Sequence, residues 1–354
     1  MVSEARVSEA PVLVSAVILT YRRQDLLREC LESLGAALEA LPGSTEILVV
    51  DNGSPGNVAS TEVRQWAPAA RVVTLTDNVG YAGGIVAGIA QAHGEWILTL
   101  GDDATVAPDA VVAMLSAGRA DARVGSVAAK MLFAADGAEP TINSAGIEVD
   151  QLGIAADRLL GLSADAGEQD VTEVFGTSGG AALYRRTMLE DTGGFEADFE
   201  LYLEDVDLAW RARQRGWRCL YVPSAVVWHH HSATTGHRST SKYFYVGRNR
   251  VRLVARNASR QQLLRYGWLM VLYDLGYVSY ALVVDHTLAP VKGRVSGLQR
   301  WRRDRAMAPE QSAAAALVPV HGLHRALARN RAWARGSSSR RCRAEAAAAT
   351  VSPE

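Results

Sequence analysis

Apolar residues in the first hundred positions follow two alternating patterns. Short runs rich in β-branched residues predict four strands, at Val12–Leu19, Ile47–Val50, Val72–Leu75 and Trp96–Leu100. Leucines recurring every three or four positions after Asp25 predict a helix capped by that residue, and small residues from about Tyr81 to His93 predict another. Apolar strands separated by helices predict an α/β fold, with a mostly parallel sheet covered on both faces.

The rest of the chain is less regular. Residues 125–200 mix short strands with glycine-rich turns, Asp198–Arg215 resembles a loop leading into a helix, and Tyr221–Trp228 predicts a strand. A basic helix is predicted over 240–262 and an apolar, aromatic segment over 262–289. The first apolar run follows acidic rather than basic residues, so it predicts a buried strand and not a secretion signal.

Composition narrows the class of protein. The 354 residues are 48% hydrophobic and 21% charged, which fits one large or two modest globular domains. Three cysteines without a C-x-x-C pair exclude a disulfide framework and a zinc cage, and they favour a reducing compartment. From His286 onwards there are 13 basic against 4 acidic residues, whereas the preceding chain has 24 against 34. A negatively charged partner would therefore bind at the tail.

Polar side chains follow the predicted strands where each one ends. Thr20, Asp51, Asp77 and the pair Asp102-Asp103 all take this position. The carboxyl ends of parallel strands share one edge, where ligands bind in doubly wound sheets. Carboxylates crowded at this edge repel one another unless a cation or a ligand offsets their charge. The sequence therefore predicts a binding crevice there.

Asp102-Asp103 is the first candidate site. Mg²⁺ or Mn²⁺ on a diphosphate takes one or two oxygen ligands from a protein, which two adjacent acids can supply. The alternative is an ordinary acidic turn.

The segment Glu204-Asp205-Val206-Asp207 is the second candidate site. At a helix start Glu204 and Asp207 share a face while Asp205 points elsewhere. Among apolar neighbours, such a carboxylate can act as a general base. The alternative is that the acids complement the helix dipole.

Two further segments carry candidate chemistry. In His229-His230-His231 neighbouring side chains alternate faces, so His229 or His231 could bind a metal, or each could simply be packed or exposed. The segment Asn78–Gly84 opens a helix and could approach phosphate through Gly80. The alternative for its later glycines is close packing of the helix on the sheet.

The ordered series of motifs resembles family 2 glycosyltransferases with a GT-A fold, near bacterial rhamnosyltransferases and galactofuranosyltransferases. The resemblance covers about residues 12–255. The segments that carry it are Val17–Arg23, Val49–Ser54, Asn78–Gly84, Asp102-Asp103, Gly179–Ala182, Gly193–Phe195, Leu203–Leu208 with Arg211, and Trp228-His229; Arg248-Asn249-Arg250 also matches a family stretch.

The resemblance implies a Rossmann-like sheet flanked by helices, a helical C-terminal extension, and an inverting reaction. Asp205 would be the general base, while Asp103 and His229 would bind Mg²⁺ or Mn²⁺. Gly179, Gly180 and Glu204 would border the donor sugar and the acceptor. Residues implied to hold the donor nucleotide are Thr20, Arg22, Asp51, Asn78, Gly80 and Asp102. In one departure, Gly101 occupies a position where the family often has an acid, which weakens the implied metal site.

The implied reaction moves a sugar from a dTDP- or UDP-linked donor to a hydroxyl of a lipid-linked or cell-envelope glycan, in the cytoplasm or on the inner face of the plasma membrane. The expected divisions are a flexible N-terminus (1–10), a GT-A catalytic domain (11–238), a helical region (239–310) and a basic, alanine-rich, largely disordered tail (311–354). Tyr266–Val284 falls short of a spanning helix, and either lies on a membrane or packs on the protein or a second copy. No nucleic-acid-reading motif is present.

Two rival functions remain. A sugar-nucleotide synthesising enzyme would place a glycine-rich basic loop after the first strand, where this chain has Thr20-Tyr21-Arg22-Arg23. A non-catalytic glycan-binding or scaffold protein of the same fold would not need Asp103, Asp205 and His229 together. A dinucleotide dehydrogenase is excluded because no glycine fingerprint follows the first strand.

Overall fold

A computed structural model describes residues 11–133, 139–229 and 239–308. Its centre is a ten-stranded mixed sheet with the strand order β10-β12-β6-β11-β4-β1-β2-β3, in which β5 pairs with β12 and β7 with β6; β8 and β9 form a separate hairpin. The strands are β1 Val14–Thr20, β2 Thr45–Asp51, β3 Arg71–Thr74, β4 Trp96–Gly101, β5 Ala104–Val106, β6 Val124–Phe133, β7 Ile142–Ser144, β8 Ile147–Val149, β9 Ala155–Asp157, β10 Thr172–Val174, β11 Ala181–Arg185 and β12 Arg218–His229.

Helices cover both faces of the sheet and extend beyond it. They are α1 Gln24–Glu39, α2 Val58–Trp66, α3 Gly80–Gln91, α4 Ala110–Arg119, α5 Arg186–Thr192, α6 Glu204–Gln214, α7 Thr240–Asn257, α8 Arg260–Val284 and α9 Ala289–Ala306. Strand β1 shows how the layers form, because Ile18 packs with Leu34 of α1 on one face while Val17 packs with Ile85 of α3 on the other. The predicted strands and helices of the first hundred residues are thus confirmed.

The parallel half of the sheet sets the position of the site. Strands β1, β2, β3 and β4 run parallel, and Thr20 pairs with Asp51 while Leu19 pairs with Gly101. The carboxyl ends of β1, β2 and β4 therefore lie side by side. Beyond β4 the sheet becomes mixed, because β11 is antiparallel to both β4 and β6.

Two local predictions were wrong. Helix α1 begins at Gln24, so Asp25 is its second residue and not the cap that precedes it. The predicted basic helix over 240–262 is two helices, because α7 ends at Asn257 and the Ser259 hydroxyl caps α8 by accepting a hydrogen bond from the Gln262 N–H. A serine two residues after a helix end is a start signal that the continuous apolar pattern concealed.

The expected divisions at 1–10 and 311–354 lie outside the described residues.

Helices α7 and α9 pack closely, since a side chain at Gly293 or Gly297 would collide with α7. The buried ion pair Arg252–Asp304 also joins these helices, and both of its side chains are fully buried.

Candidate functional site

The end of β2 carries a buried carboxylate, Asp51, with unused hydrogen-bonding capacity. Asp51 is fully buried, and its Oδ1 accepts a hydrogen bond from the Ser54 N–H at 3.0 Å. Its Oδ2 has no hydrogen-bond partner among the described residues. A buried oxygen of this kind is normally satisfied, so a ligand N–H or O–H reaching this edge would complete it.

The neighbouring loop after β1 is held in an uncommon backbone conformation. Arg22 has a φ of 60°, and its N–H donates to the Ser54 hydroxyl at 3.1 Å. Its guanidinium is solvent-exposed, 4.9 Å from the centre of the Tyr21 ring. The backbone of Arg22 is thus tied to the turn after β2, while its cation is exposed at the end of β1.

The Asn78–Gly84 segment has a packing role. Asn52 donates to the Asn78 side chain and to the Gly80 carbonyl, both at 3.1 Å. A side chain at Gly80, whose φ is 75°, would lie 2.6 Å from the Glu200 carbonyl oxygen, and one at Gly84 would collide with Leu19 of β1. Because the Ala82 N–H donates to the Glu200 carbonyl, this part of the α3 N-terminus is already paired.

The two acids that follow β4, Asp102 and Asp103, lie in different environments. Asp102 is buried, and burial raises its pKa to about 7 despite hydrogen bonds from the Thr20 hydroxyl and the Tyr21 N–H. Burial acts on Asp103 in the same sense, but a hydrogen bond from His229 and its charge outweigh it and hold the pKa below the ordinary value. Asp102 thus faces the strand ends, and Asp103 faces β12.

Asp103 and His229 form the best candidate metal site. Their Oδ1 and Nε2 atoms are 3.2 Å apart, and both side chains are mostly buried. The other ring nitrogen, Nδ1, lies 3.1 Å from Asn143 Oδ1, which fixes the ring with Nε2 toward Asp103. In the described ranges no group of three metal-binding side chains occurs, so a cation here would take its remaining ligands from a bound molecule. His230 and His231 lie outside those ranges.

The predicted Gly179-Gly180 segment joins Asp205 to the strand-end carboxylates. The Gly101 N–H donates to the Gly180 carbonyl, and the Gly179 N–H donates to Asp205 Oδ2, both at 3.0 Å. The Thr99 hydroxyl donates to the Gly179 carbonyl at 3.1 Å, as does the buried Tyr81 hydroxyl. Asp205 therefore lies against the same segment that lines the Asp102-Asp103 turn.

The three acidic residues at the start of α6 face in two directions, as helical spacing predicts. Glu204 and Asp207 are buried on the inner face of α6, whereas Asp205 bonds to Gly179. Burial raises the pKa of both Glu204 and Asp205, further for Glu204, which lacks the Gly179 hydrogen bond. The charge of Asp205 also raises the pKa of Glu204, so protonation of this pair favours Glu204 over Asp205.

A strained loop leads into this helix. Glu200, Tyr202 and Leu203 all have φ between 60° and 69°, a region that costs a non-glycine residue about 1–3 kcal/mol. Such a conformation persists only where its surroundings enforce it. Asp205 is two residues beyond the last of these positions, so its placement depends on whatever holds the loop.

Helix α7 holds the loop through Arg248 and Asn249. The fully buried Asn249 amide donates to the carbonyls of Phe199, Leu201 and Tyr202 at 2.7–2.9 Å. Arg248 pairs with Glu200 at 2.6 Å and also donates to the Phe199 carbonyl. The sequence alone gave no role to Arg248-Asn249-Arg250. These contacts show that Arg248 and Asn249 position the loop.

Sequence reasoning missed three further polar groups near the site. Asn143 orients His229, and the Tyr81 hydroxyl holds Gly179. Asp157 accepts a hydrogen bond from Ser144 and lies within electrostatic range of Asp205 and His229, and burial raises its pKa to about 6. Tyr81 lies within the Asn78–Gly84 segment, where the glycines drew attention, whereas Asn143 and Asp157 are single polar residues of short strands without a spacing pattern that could have identified them.

Comparisons with known proteins agree with this geometry. A family model described as glycosyl transferase family 2 matches residues 15–193. N-acetylglucosaminyl-diphospho-decaprenol L-rhamnosyltransferase of Mycobacterium tuberculosis is 28% identical over 245 residues, covering 63% of this chain and 78% of that protein. The O-antigen biosynthesis protein RfbC of Myxococcus xanthus is 28% identical over 233 residues, covering 62% of this chain and 17% of that protein.

Two solved structures share the fold. GalNAc-T7, crystallised with UDP, GalNAc and Mn²⁺, superposes with a TM-score of 0.57 at 15% identity, over 85% of this chain and 56% of its own. Residues 1–349 of S. aureus TarS superpose with a TM-score of 0.53 at 16% identity, over 84% of this chain and 83% of its own. The GT-A fold that the motifs predict is thereby confirmed.

Proposed function

Because this chain belongs to glycosyl transferase family 2 and is a glycosyltransferase, we propose that it is inverting and metal-dependent. It would move a sugar of the rhamnose or galactofuranose class from a dTDP- or UDP-linked donor to a hydroxyl of a lipid-linked or cell-envelope glycan, in the bacterial cytoplasm. The observation that carries the proposal is the bonded path from the Asp102-Asp103 turn through Gly180 and Gly179 to Asp205. Through this path the carboxylates that would bind the donor diphosphate lie beside Asp205, the carboxylate that would act as the base.

The donor nucleotide would lie along the ends of β1, β2 and β4. Asp51 Oδ2 would accept from the base or the ribose, and Asp102, already bonded to Thr20, would face the ribose. The exposed Arg22 would contact the nucleotide from the rim, and the Asn78–Gly80 turn would border it. The mycobacterial relative's name specifies a rhamnosyltransferase acting on a lipid diphosphate, which supports the same classes of donor sugar and acceptor here.

The Asp103–His229 pair fits a divalent cation. One carboxylate oxygen and one oriented imidazole nitrogen suit Mg²⁺ or Mn²⁺ whose other ligands are diphosphate oxygens. When bound, the cation would neutralise the charge that develops on the departing nucleotide. Asp103 would supply a negatively charged oxygen, and a neutral His229 would offer its Nε2 lone pair to the cation in place of the hydrogen bond to Asp103.

Asp205 would take the proton from the acceptor hydroxyl. Its Oδ2 is fixed by the Gly179 N–H, and its Oδ1 accepts from the Val206 N–H at 2.8 Å, so the carboxylate has a defined orientation. A raised pKa makes an ionised carboxylate a better proton acceptor. A single base acting on the acceptor, opposite the leaving diphosphate, produces inversion at the sugar carbon.

Donor and metal are tested together by thermal unfolding with a panel of UDP- and dTDP-sugars, with and without Mn²⁺. We expect one nucleotide class to raise the Tm, and more so with Mn²⁺. The Asp103→Asn variant should lose the Mn²⁺-dependent part, since it removes the charged ligand, and EDTA should stop transfer. Full transfer in EDTA would exclude the metal role, while no affinity for any nucleotide sugar would favour the non-catalytic alternative.

The Asn249→Ala variant tests the loop support. Without the amide, the Leu201 and Tyr202 carbonyls lose this donor and the Phe199 carbonyl keeps only its other donors, such as Arg248. The strained loop is then less firmly held, so Asp205 should move from its place. We expect kcat to fall about 10²-fold, the loss typical of a small misplacement at a reacting centre, with little change in donor KM.

The matched control is Leu34→Ala, in the core between α1 and the sheet. This change destabilises the fold by about 2–5 kcal/mol without touching the loop, and it should leave kcat unchanged well below the Tm. If both variants reduce kcat equally at a matched distance from their Tm, Asn249 supports only stability.

A further inference from the structure

Helix α8 turns an apolar surface outwards. Residues recurring at helical spacing form one stripe, and each is more than half exposed, up to 87% for Leu264 and 66% for Trp268. This outer stripe consists of Leu264, Trp268, Val271, Leu272, Leu275 and Val283. Soluble proteins rarely leave so continuous an apolar surface in water, so the stripe marks a contact surface.

The opposite side of α8 is fastened to the protein by polar contacts. Asp274 accepts hydrogen bonds from Arg250 of α7 and Arg294 of α9, and Gln262 donates to the Gln151 carbonyl. Met270 and Ala281 are buried on this side. The prediction that this segment falls short of a spanning helix was wrong on length and composition, since α8 is long and apolar enough to cross a membrane. Crossing would nevertheless place Asp274 in the hydrocarbon, away from its arginine partners on α7 and α9, where a charge is costly. The helix is therefore held along the surface of the enzyme.

Charge on this region is mostly positive, although Arg300 and Arg303 pair with Asp198. Arg260–Ala308 contains eight basic and three acidic residues. All three acids have partners, Asp274 and Asp304 with arginines and Asp285 with the Tyr243 hydroxyl. The exposed cations are Arg260, Arg265, Lys292, Arg302 and Arg303. By helical spacing, Arg260 and Arg265 flank the outer stripe.

We propose that α8 lies in the plane of an anionic lipid surface, with the outer stripe inserted among the acyl chains and the flanking cations among the headgroups. An apolar stripe bordered by arginines is the arrangement of interfacial helices. A second copy would fit less well, because a two-fold contact through this stripe would bring the same cations together. The inference deepens the proposed function, since it would hold the enzyme where a lipid-linked acceptor resides.

The test is flotation of the full chain with phosphatidylcholine vesicles prepared with and without phosphatidylglycerol. We expect binding to the anionic vesicles and little to the neutral ones. The triple variant Leu264→Gln, Trp268→Gln, Leu272→Gln should reduce the bound fraction about tenfold or more, because it removes inserted apolar area. Arg260→Gln with Arg265→Gln should weaken the preference for anionic lipid.

The matched control is Leu162→Gln with Val171→Gln, two half-exposed apolar residues of the catalytic region, which should bind vesicles like the wild type. Two results would overturn the proposal: no binding to either vesicle, or equal binding by the triple variant. So would a dimer in lipid-free solution that the triple variant converts to monomer, which would assign the stripe to a second copy. Nucleotide binding by the triple variant, measured without lipid, separates failure here from failure of the proposed function.

Discussion

Replacing Asp205 by asparagine is expected to lower kcat/KM by about 10²–10⁴-fold, the range that a positioned general base supplies. Asparagine preserves the size of the side chain but can accept only one of the hydrogen bonds from Gly179 and Val206, and it cannot accept the acceptor's proton. Donor affinity should stay near the wild-type value, because the role proposed for Asp205 is toward the acceptor hydroxyl and not toward the nucleotide. Initial rates of transfer and a separate nucleotide titration measure the two quantities.

Glu204→Gln is the informative comparison, because it changes the adjacent carboxyl by the same chemistry. Because burial and the charge of Asp205 raise the pKa of Glu204, a neutral amide resembles the protonated acid that this shift favours, and the rate should change less than about tenfold. Equal losses in the two variants would contradict the assignment of the base to Asp205 alone.

The pH profile gives a second measure of the same base. Because burial raises the pKa of Asp205, the acid limb of kcat/KM should lie above the ordinary aspartate value of about 3.9. Activity should be present above that limb and lost as the carboxylate protonates. An acid limb at or below the ordinary value would mean that another group takes the proton.

Strand ends were the most predictable part of the site. Thr20, Asp51 and Asp102 follow consecutive parallel strands, and chain topology alone brings such ends to one edge. The separation of Asp205 from Glu204 and Asp207 also follows from local geometry, since helical spacing fixes which residues share a face. Both inferences need only contacts that regular secondary structure dictates.

Contacts across the mixed half of the sheet were not predictable in this way. Gly180 meets Gly101 only because β11 inserts antiparallel between β4 and β6, an order that no local pattern encodes. Asn143 reaches His229 across 86 positions from a three-residue strand, and Asn249 reaches its loop from a helix about 50 positions away. A single polar residue carries no periodicity, so its partner appears only when the chain is folded.

The helix that carries Asp205 is anchored by a buried charge network, which explains why the motif contains acidic residues besides the proposed base. Fully buried Asp207 pairs with Arg211 at 2.9 Å and with Arg256 of α7 at 3.0 Å, and it accepts from the Asn257 amide at 2.8 Å. Arg211 continues to the Gly194 carbonyl at 2.8 Å. The motif thus combines one residue facing the site with others that fasten α6 to α5 and α7.

Asp207→Ala should therefore lower the free energy of unfolding by about 3–5 kcal/mol, because it removes the fully buried carboxylate that Arg211 and Arg256 share. Arg256 would keep its pairs with Glu196 and Asp304. Urea denaturation at neutral pH measures the loss. Asp121→Ala is the control, since it breaks an ion pair with Arg218 whose side chains are both about 40% exposed, and it should cost no more than about 1 kcal/mol. Similar losses in both variants would show that Asp207 is not the centre of the network.

The same network predicts how the stability difference between the wild type and Asp207→Ala depends on pH. Burial alone would raise the pKa of Asp207, but the charges of Arg211 and Arg256 outweigh it and hold the pKa below its ordinary value. A carboxylate with a lowered native pKa stabilises the fold above its unfolded pKa, and that stabilisation is lost as pH falls through the native one. The gap between wild type and Asp207→Ala should be full at pH 7 and shrink below about pH 4. A gap that stays constant to lower pH would assign the loss to the missing atoms and not to the charge.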